Sequence, residues 1–205
     1  MPRYPTAEPF LPTTHDLISL ARAVEECRGC DLWERATQAV FGAGPATADV
    51  MLVGEQPGDR EDVEGEPFVG PAGRLLDEAL DQAGLDRSQT YLANAVKHFK
   101  WKERGKRRIH DKPTWSQISA CRPWLEAELQ AVEPRALVLL GATAAQSLLG
   151  KDVRVTRDRG RYPAEHLAEV VVVTIHPSSI LRGEPEEREA ELAALVDDLR
   201  LAAKS

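Results

Sequence analysis

Four short apolar runs of strand length, separated by helical patterns, constrain the fold of this 205-residue chain more than any other feature. The runs are ADVMLVG (48–54), TYLANAV (90–96), RALVLLG (135–141) and EVVVVTI (169–175). Helical patterns occupy 71–84, 114–132, 142–150 and 185–203. Near-continuous apolar strands that alternate with helices indicate a mainly parallel sheet covered on both faces. We therefore predict an α/β protein, a three-layer α/β/α sandwich around a central, mainly parallel four-stranded sheet.

The ends of the chain and its overall hydropathy set the domain organisation. Four prolines in the first 13 residues predict an irregular N-terminal arm, and residues 14–205 are predicted to form one domain. A helical pattern, capped by Thr14 or Asp16, then leads to Cys27. No apolar run approaches the roughly 20 residues that span a bilayer, and the opening residues contain no apolar signal-peptide core. We expect a cytoplasmic protein with no membrane partner, monomeric by default.

Three cysteines, at positions 27, 30 and 121, are the only ones in the sequence. An odd number cannot be paired completely within one chain, so a disulfide framework is not expected. The close spacing in CRGC (27–30) and the distant third thiol instead indicate a metal centre that needs a fourth ligand.

Positive charge is concentrated in one segment of a chain whose net charge is −7. Residues 97–112 contain eight Lys or Arg residues against only Glu103 and Asp111. A local excess of cations on an acidic protein is typical of a phosphate-binding loop, although a solvated surface loop would have the same composition. We define residues 99–113, which contain most of this segment, as the basic loop.

The segments that follow the four predicted strands contain most of the unusual residues. In open parallel sheets, ligands bind beyond the carboxyl ends of the strands. The segments at that edge are GEQPGDREDVEGEPFVGPAG (54–73), NAVKHFKWKERGKRRIHDKP (94–113), GATAA (141–145) and HPSSILRG (176–183). Glycine and proline in the first of these permit close approach of the backbone to a ligand.

Four of these motifs, in this order, closely resemble those of the iron–sulfur branch of the uracil-DNA glycosylase superfamily. They are GEQPG, PFVGPAG, the asparagine after the second strand and HPS, and the resemblance extends from about Cys27 to Arg182. Two departures are informative: NAVKH has His98 where the ordinary iron–sulfur members have a cysteine, and the chain carries an inserted KRRIH. Together with GEQPGD, both resemble the X-type uracil-DNA glycosylases, which excise uracil and remain covalently attached to the DNA.

The resemblance implies a metal-ligand set of three thiolates and one imidazole. Chemistry alone allows either structural zinc or an iron–sulfur cluster at such a set. The resemblance favours a [4Fe-4S] cluster with a structural role. The implied ligands are Cys27, Cys30, His98 and Cys121.

The resemblance also implies a pocket for a uracil that has left the base stack. Phe68 is expected to stack on the base, and Asn94 to read its edge, because one amide can donate to O4 and accept from N3–H. His176 is expected to hydrogen-bond O2 as negative charge develops on the departing base. The loop expected against the pyrimidine carries Gln56, Gly58 and Asp59.

Cleavage of the glycosidic bond produces an electrophilic sugar, which an imidazole can capture in place of water. We assign this role to His110, expected at the tip of the basic loop, with Glu55 to orient it or to accept its proton. Asp59 is expected to assist the pocket. Phosphate contacts that bring the sugar close are predicted for Lys106, Arg107, Arg108 and Arg182.

The predicted activity is therefore a uracil-DNA glycosylase that acts on uracil in DNA, preferably single-stranded, and ends joined through His110 to C1′ of the abasic sugar. One alternative keeps the fold but releases a free abasic site by hydrolysis. Another is a non-catalytic, metal-stabilised module that binds nucleic acid. Base release from a uracil-containing oligonucleotide, read on a denaturing gel, separates the three.

Overall fold

A computed structural model describes residues 6–14 and 16–203 of the chain. Residues 1–5 of the predicted N-terminal arm lie outside the described residues. The rest of the arm includes a short 3₁₀ helix, Glu8–Phe10. Ala7 is buried, and its N–H donates to the carbonyl of Ala120 at 2.8 Å. This part of the chain is therefore packed against the body of the protein.

The central sheet contains the four predicted strands, which are parallel, and one more. The strands are β1 (Val50–Gly54), β2 (Thr90–Asn94), β5 (Ala136–Leu140), β6 (Gly160–Arg161) and β7 (Val170–Thr174), and the order across the sheet is β2-β1-β5-β7-β6. The extra strand, β6, is two residues long and antiparallel to β7. Glycine and arginine give no apolar signal, so the sequence predicted four strands where the sheet has five.

Helices cover both faces of the sheet, which confirms the three-layer prediction. They are α1 (Leu17–Val24), α2 (Asp59–Glu64), α3 (Pro71–Ala83), α4 (Trp115–Val132), α5 (Gly141–Leu149), α6 (Val155–Asp158), α7 (Pro177–Arg182) and α8 (Arg188–Arg200). Side chains alternate along each strand: Met51 packs with α4 and α5 on one face, and Leu52 packs with α3 and α8 on the other. All five residues of β1 are buried, as expected for a central parallel strand.

Local sequence signals set the ends of the helices. Asp16 accepts from the N–H of Ser19 at 2.9 Å and caps α1. Thr114 and Gln117 form a reciprocal capping box at the start of α4. Gly84, with φ of +75°, ends α3 in the left-handed conformation that glycine adopts without strain. Among the described residues, no helix is long and apolar enough to cross a membrane.

The basic loop forms a β-hairpin. Strands β3 (Trp101–Arg104) and β4 (Arg107–His110) pair antiparallel around a turn at Gly105 and Lys106, and Gly105 has φ of +63°. His110 lies opposite Trp101 at the base of the hairpin, so the expectation that it lies at the tip was wrong. This position brings His110 to the carboxyl edge of the sheet, beside Glu55, where its side chain stays 44% exposed.

Candidate active site

Three of the residues expected to bind uracil meet around Gly54, the last residue of β1. A Cβ atom built on Gly54 would lie 2.5 Å from Asn94 Oδ1, 2.7 Å from Phe68 Cζ and 3.4 Å from His176 Nε2. Contacts below 3.0 Å are too short for a real Cβ, so any larger residue at position 54 would displace this group. Glycine therefore permits these three side chains to converge at the carboxyl ends of β1 and β2, and we call this group the base pocket.

Phe68 is held in an unusual backbone conformation, with φ of 60°. Left-handed backbone at a residue other than glycine costs about 1–3 kcal/mol and is concentrated at functional sites. The ring is buried and stacks on the His176 ring at a centroid distance of 6.2 Å and an interplanar angle of 24°. Gly73 of α3 permits this arrangement, because a Cβ at that position would lie 1.7 Å from the Phe68 carbonyl oxygen.

Asn94 ends β2 and is almost completely buried. Its main-chain carbonyl accepts from Lys97 Nζ at 2.9 Å. No other residue in the described ranges hydrogen-bonds its side-chain amide, although buried amides are usually paired. The amide is therefore free to pair with the edge of a bound base.

His176 is a neutral hydrogen-bond donor. It caps α7, and its Nδ1 accepts from the backbone N–H of Ser178 at 3.1 Å. Burial, together with the smaller effect of the charges of Arg182 and His110, lowers the pKa of the ring to about 4. A neutral imidazole that accepts at Nδ1 carries its proton on Nε2, the atom that faces Gly54.

His110 is held by a carboxylate that is itself held by a threonine. Its Nε2 lies 3.3 Å from Glu55 Oε1, and the hydroxyl of Thr143 donates to Glu55 Oε2. Burial lowers the pKa of His110, and the nearby Glu55 carboxylate opposes that shift only in part. The ring is therefore neutral near neutral pH, with a lone pair available. Thr143 of α5 was not predicted, and its only sequence signal is its place in GATAA, after β5.

Arg108 anchors the hairpin to α2. Its Nε lies 2.6 Å from Asp59 Oδ1, and its Nη1 lies 2.6 Å from Oδ2 of the fully buried Asp62. Asp62 also accepts from Thr37. Arg108 was expected to contact phosphate, but its guanidinium already pairs with these two carboxylates. Lys106, by contrast, lies exposed in the hairpin turn, as does Arg107 at the start of β4.

Gln56 ties the base of the hairpin to the loop after β1. Its Nε2 donates to the carbonyls of Lys100 and Asp111, each at 3.1 Å, and its Oε1 accepts from the N–H of Lys100 at 3.1 Å. The expected contact with the pyrimidine would have to come from its backbone, because the side-chain amide is already engaged. At Gly58, a Cβ would lie 2.5 Å from Glu61 Oε2.

The three cysteines are free, buried and part of one core cluster around Trp124. Trp124 Nε1 donates to Cys27 Sγ at 3.1 Å, and the N–H of Lys97 donates to Cys121 Sγ at 3.2 Å. Burial raises the pKa of Cys30 to about 11, and the pKa of Cys121 is raised further, first by burial and then by the charge of Cys30. Without a cation, the thiols of Cys30 and Cys121 are therefore protonated.

His98, the fourth expected ligand, is buried, and burial lowers its pKa to about 4. Within the ranges 6–14 and 16–203, no group of three or more His, Cys, Asp or Glu side chains has the spacing of a single-ion metal site. A four-iron cluster lies between its ligands, which are therefore more widely spread than those of one ion. Three buried thiols and a neutral imidazole suit such a cluster.

Comparisons with known proteins identify the family to which the chain belongs. The sequence model of the uracil DNA glycosylase superfamily matches residues 41–200. A Type-4 uracil-DNA glycosylase of Thermotoga maritima is 36% identical over 178 residues, covering 85% of this chain and 88% of that protein. One of Archaeoglobus fulgidus is 34% identical over 172 residues, covering 80% and 83%. A Type-5 uracil-DNA glycosylase of Pyrobaculum aerophilum is 31% identical over 151 residues, covering 65% and 62%.

These matches bear on the family and not on the X-type features, which rest on His98, His110 and the hairpin. The family model spans well over half of the chain, and the first two relatives exceed 30% identity over most of it. The motifs expected of that family lie together at the carboxyl edge of the sheet. The chain therefore belongs to the uracil DNA glycosylase superfamily.

Proposed function

We propose that this protein excises uracil from DNA and then joins the abasic sugar to His110. The observation that carries the proposal is the contact of His110 with Glu55, 3.3 Å from Nε2 to Oε1, beside a pocket lined by Phe68, Asn94 and His176. Glu55 directly follows Gly54, around which these three side chains meet, so His110 is held next to them. A neutral imidazole held beside a base pocket is suited to nucleophilic capture.

The base is recognised by the ring of Phe68 and by the side-chain amide of Asn94, which has no hydrogen-bond partner among the described residues. A uracil rotated out of the stack would place one face on Phe68 and its edge against the free amide of Asn94. The amide donates to O4 and accepts from N3–H, a pattern that cytosine inverts. Because Asn94 is buried and fixed at the end of β2, the preference for uracil comes from a preorganised group.

Departure of the base breaks the bond between C1′ and N1, and the electron pair leaves with uracil. Negative charge then develops on O2, to which the Nε2–H of His176 is positioned to donate. The low pKa of His176 keeps this ring neutral, so it stabilises the anion through a hydrogen bond and not as a charged imidazolium.

Capture forms a new bond between C1′ and a ring nitrogen of His110. The lone pair of the neutral imidazole attacks the electron-deficient carbon, and the remaining ring proton is lost to Glu55 or to solvent. The product is a neutral glycosyl-imidazole, whose nitrogen is a poor leaving group. Thr143 fixes the Glu55 carboxylate, and Glu55 fixes the imidazole, so proximity supplies much of the rate.

The DNA contacts divide between binding and positioning. Lys106 and Arg107 are exposed and available for phosphates, whereas Arg108 holds the hairpin on α2. Arg182 is exposed at the end of α7, where its Nη1 donates to the hydroxyl of Ser178 at 3.1 Å. We infer that a single-stranded segment, bound by a monomeric protein, crosses the carboxyl edge between these cations.

Cys27, Cys30, His98 and Cys121 would hold a [4Fe-4S] cluster, which supplies a structural crosslink when bound. A bound cluster would join the segment that follows α1, the segment after β2, and α4. His98 lies four residues after Asn94 and directly before the hairpin segment. The ligands therefore fix the chain between the base pocket and His110.

The alternative is hydrolysis, in which water takes the place of His110 and free abasic DNA is released. The relatives reported above favour it, because they are named Type-4 and Type-5 uracil-DNA glycosylases. A denaturing gel distinguishes capture from hydrolysis after a 5′-labelled uracil oligonucleotide has been incubated with excess protein. The proposal requires a shifted, detergent-stable band. Free abasic product without a shifted band would support hydrolysis, and intact uracil DNA would exclude both activities.

A further inference from the structure

Trp101 of the hairpin and Trp33 beside it each carry an arginine guanidinium over the indole ring. Arg28 Cζ lies 4.7 Å from the centroid of Trp33, and Arg35 Cζ lies 4.1 Å from that of Trp101. The Trp33 side chain is 38% exposed, and it is the one aromatic among the large exposed apolar residues of the described chain. We define Arg28, Trp33, Arg35 and Trp101 as the indole–guanidinium surface.

This surface begins next to the proposed nucleophile. Trp101 of β3 lies directly opposite His110 of β4 in the hairpin register. The indole N–H of Trp101 donates to the carbonyl of Arg35 at 2.8 Å, and this bond joins the hairpin to the 3₁₀ helix Asp31–Glu34. Trp33 belongs to that helix, so the surface runs from the base of the hairpin towards residues 28–35.

A cleft of about 130 Å³ separates the hairpin from the 3₁₀ helix. Its lining consists of Leu32, Phe99 and Trp101, the cations Arg35 and Lys100, and the hydrogen-bonded pair Asp31 and Gln117. The Phe99 ring also contacts the His110 ring, at a centroid distance of 6.2 Å. A cleft with aromatic, cationic and polar walls therefore lies adjacent to the position at which the sugar would be captured.

The chemistry of the surface matches the bases and phosphates of an open strand. Indole and guanidinium planes stack on any nucleobase, and guanidinium groups also pair with phosphate oxygens. In a duplex the base faces are covered by their neighbours, so only a single strand can present them. An exposed indole–guanidinium contact by itself contributes little to folding, which leaves the exposure of Trp33 unexplained by stability.

We propose that nucleotides next to the uracil, on the same strand, stack on the indole–guanidinium surface. This inference rests on the proposed function for the position of the uracil, and it names the source of the preference for single strands. Arg28 and Arg35 neutralise phosphates while the indole of Trp33 receives a base face. Arg35 does so at the expense of its exposed ion pair with Glu103, in which Nη2 and Oε1 lie 3.7 Å apart.

Fluorescence anisotropy with a uracil-free oligonucleotide tests this surface without any chemistry. Trp33→Ala should weaken binding of a single strand by roughly tenfold, the effect of losing one stacked base, and leave binding of the matching duplex unchanged. Trp33→Phe should retain most of the affinity, because a ring face remains. Parental binding by Trp33→Ala, or equal weakening on single strand and duplex, would overturn the proposal.

Leu201→Ala is the matched control. Leu201 is 44% exposed, and the neighbouring Ala202 carbonyl accepts from Arg135, which precedes β5 at the amino edge of the sheet. It therefore removes exposed apolar surface far from the hairpin and should bind as the parent does. A second arm uses the same single strand with abasic spacers in place of bases. The affinity of the parent should fall by the same tenfold, and that of Trp33→Ala should not fall further.

The outcomes separate this inference from the proposed function. If the parent releases no uracil but Trp33→Ala selectively weakens single-strand binding, the glycosylase proposal fails and the surface stands. If uracil is released and captured but Trp33→Ala binds as the parent does, the surface fails alone.

Discussion

Replacing Thr143 by valine should slow capture of the sugar while leaving the base pocket intact. Valine has nearly the shape of threonine but lacks the hydroxyl that donates to Glu55 Oε2. Thr143 is 1% exposed, so water does not readily take the place of the hydroxyl from the side of α5. Glu55 would then lose the contact that aims its other oxygen at Nε2 of His110.

The size of the effect follows from the charge on Glu55. A hydrogen bond to a charged group contributes about 1.5–3 kcal/mol, and each 1.4 kcal/mol corresponds to a factor of ten. The Glu55 side chain is 22% exposed, and solvent can replace part of the lost contact. The lower end of that range applies, so the single-turnover rate of adduct formation should fall by roughly tenfold. Water should compete better, and the fraction of free abasic product should rise.

Ser147→Ala is the control, since Ser147 is a buried hydroxyl on the same helix that donates only to the carbonyl of Ala144. Both variants should unfold at similar temperatures, and both should bind uracil DNA as the parent does. The reasoning is refuted if Thr143→Val forms adduct at the parental rate, or if Ser147→Ala slows adduct formation equally.

Three further predictions concern pH, the cluster and salt. The rate of capture should be constant at neutral pH and fall only as the pH drops through the pKa of His110, which lies below its ordinary value of 6.5. Protonation there removes the attacking lone pair. Uracil release by His110→Ser should lack that decline. The purified protein should contain iron and sulfide and absorb broadly in the visible; zinc without sulfide would contradict this. His98→Ser should lower the melting temperature but change the rate of uracil release only slightly. Log affinity for single strands should fall with log salt with a slope of roughly −2 to −3, and Lys106→Ala with Arg107→Ala should flatten that slope without changing the preference for uracil over cytosine; an unchanged slope would count against the hairpin as the docking surface.

The sheet could be predicted because its strands are buried on both faces. Every residue of β5 and β7 is buried, so each strand reads as an uninterrupted apolar run. Strand β6 consists of Gly160 and Arg161, and it pairs only because β7 offers a free edge. The hairpin was missed for the same reason, since β3 and β4 are largely exposed and their charged residues show no apolar alternation.

The candidate site divides in a similar way. The sequence indicated the residues proposed to contact substrate, because each belongs to a motif after a strand. It gave no indication of the residues that hold them: Thr143 acts across 88 positions on Glu55, and Asp62 across 46 on Arg108. Long-range polar contacts of this kind leave no local pattern in one sequence. The predicted position of His110 was wrong because an open loop was assumed. The chain instead forms two paired strands, which return His110 to the base of the hairpin, opposite Trp101.

Peptide mass mapping of the protein–DNA adduct tests the central claim most directly. Protein reacted with a uracil oligonucleotide would be digested with protease and nuclease, and the modified residue located by fragmentation. Capture by imidazole predicts one deoxyribose attached to His110, one equivalent of adduct per protein, and loss of the adduct but not of uracil release in His110→Ser. Attachment to Lys106 or another amine, or an undiminished adduct from the His110 variant, would show that a Schiff base rather than a glycosyl-imidazole joins this protein to DNA.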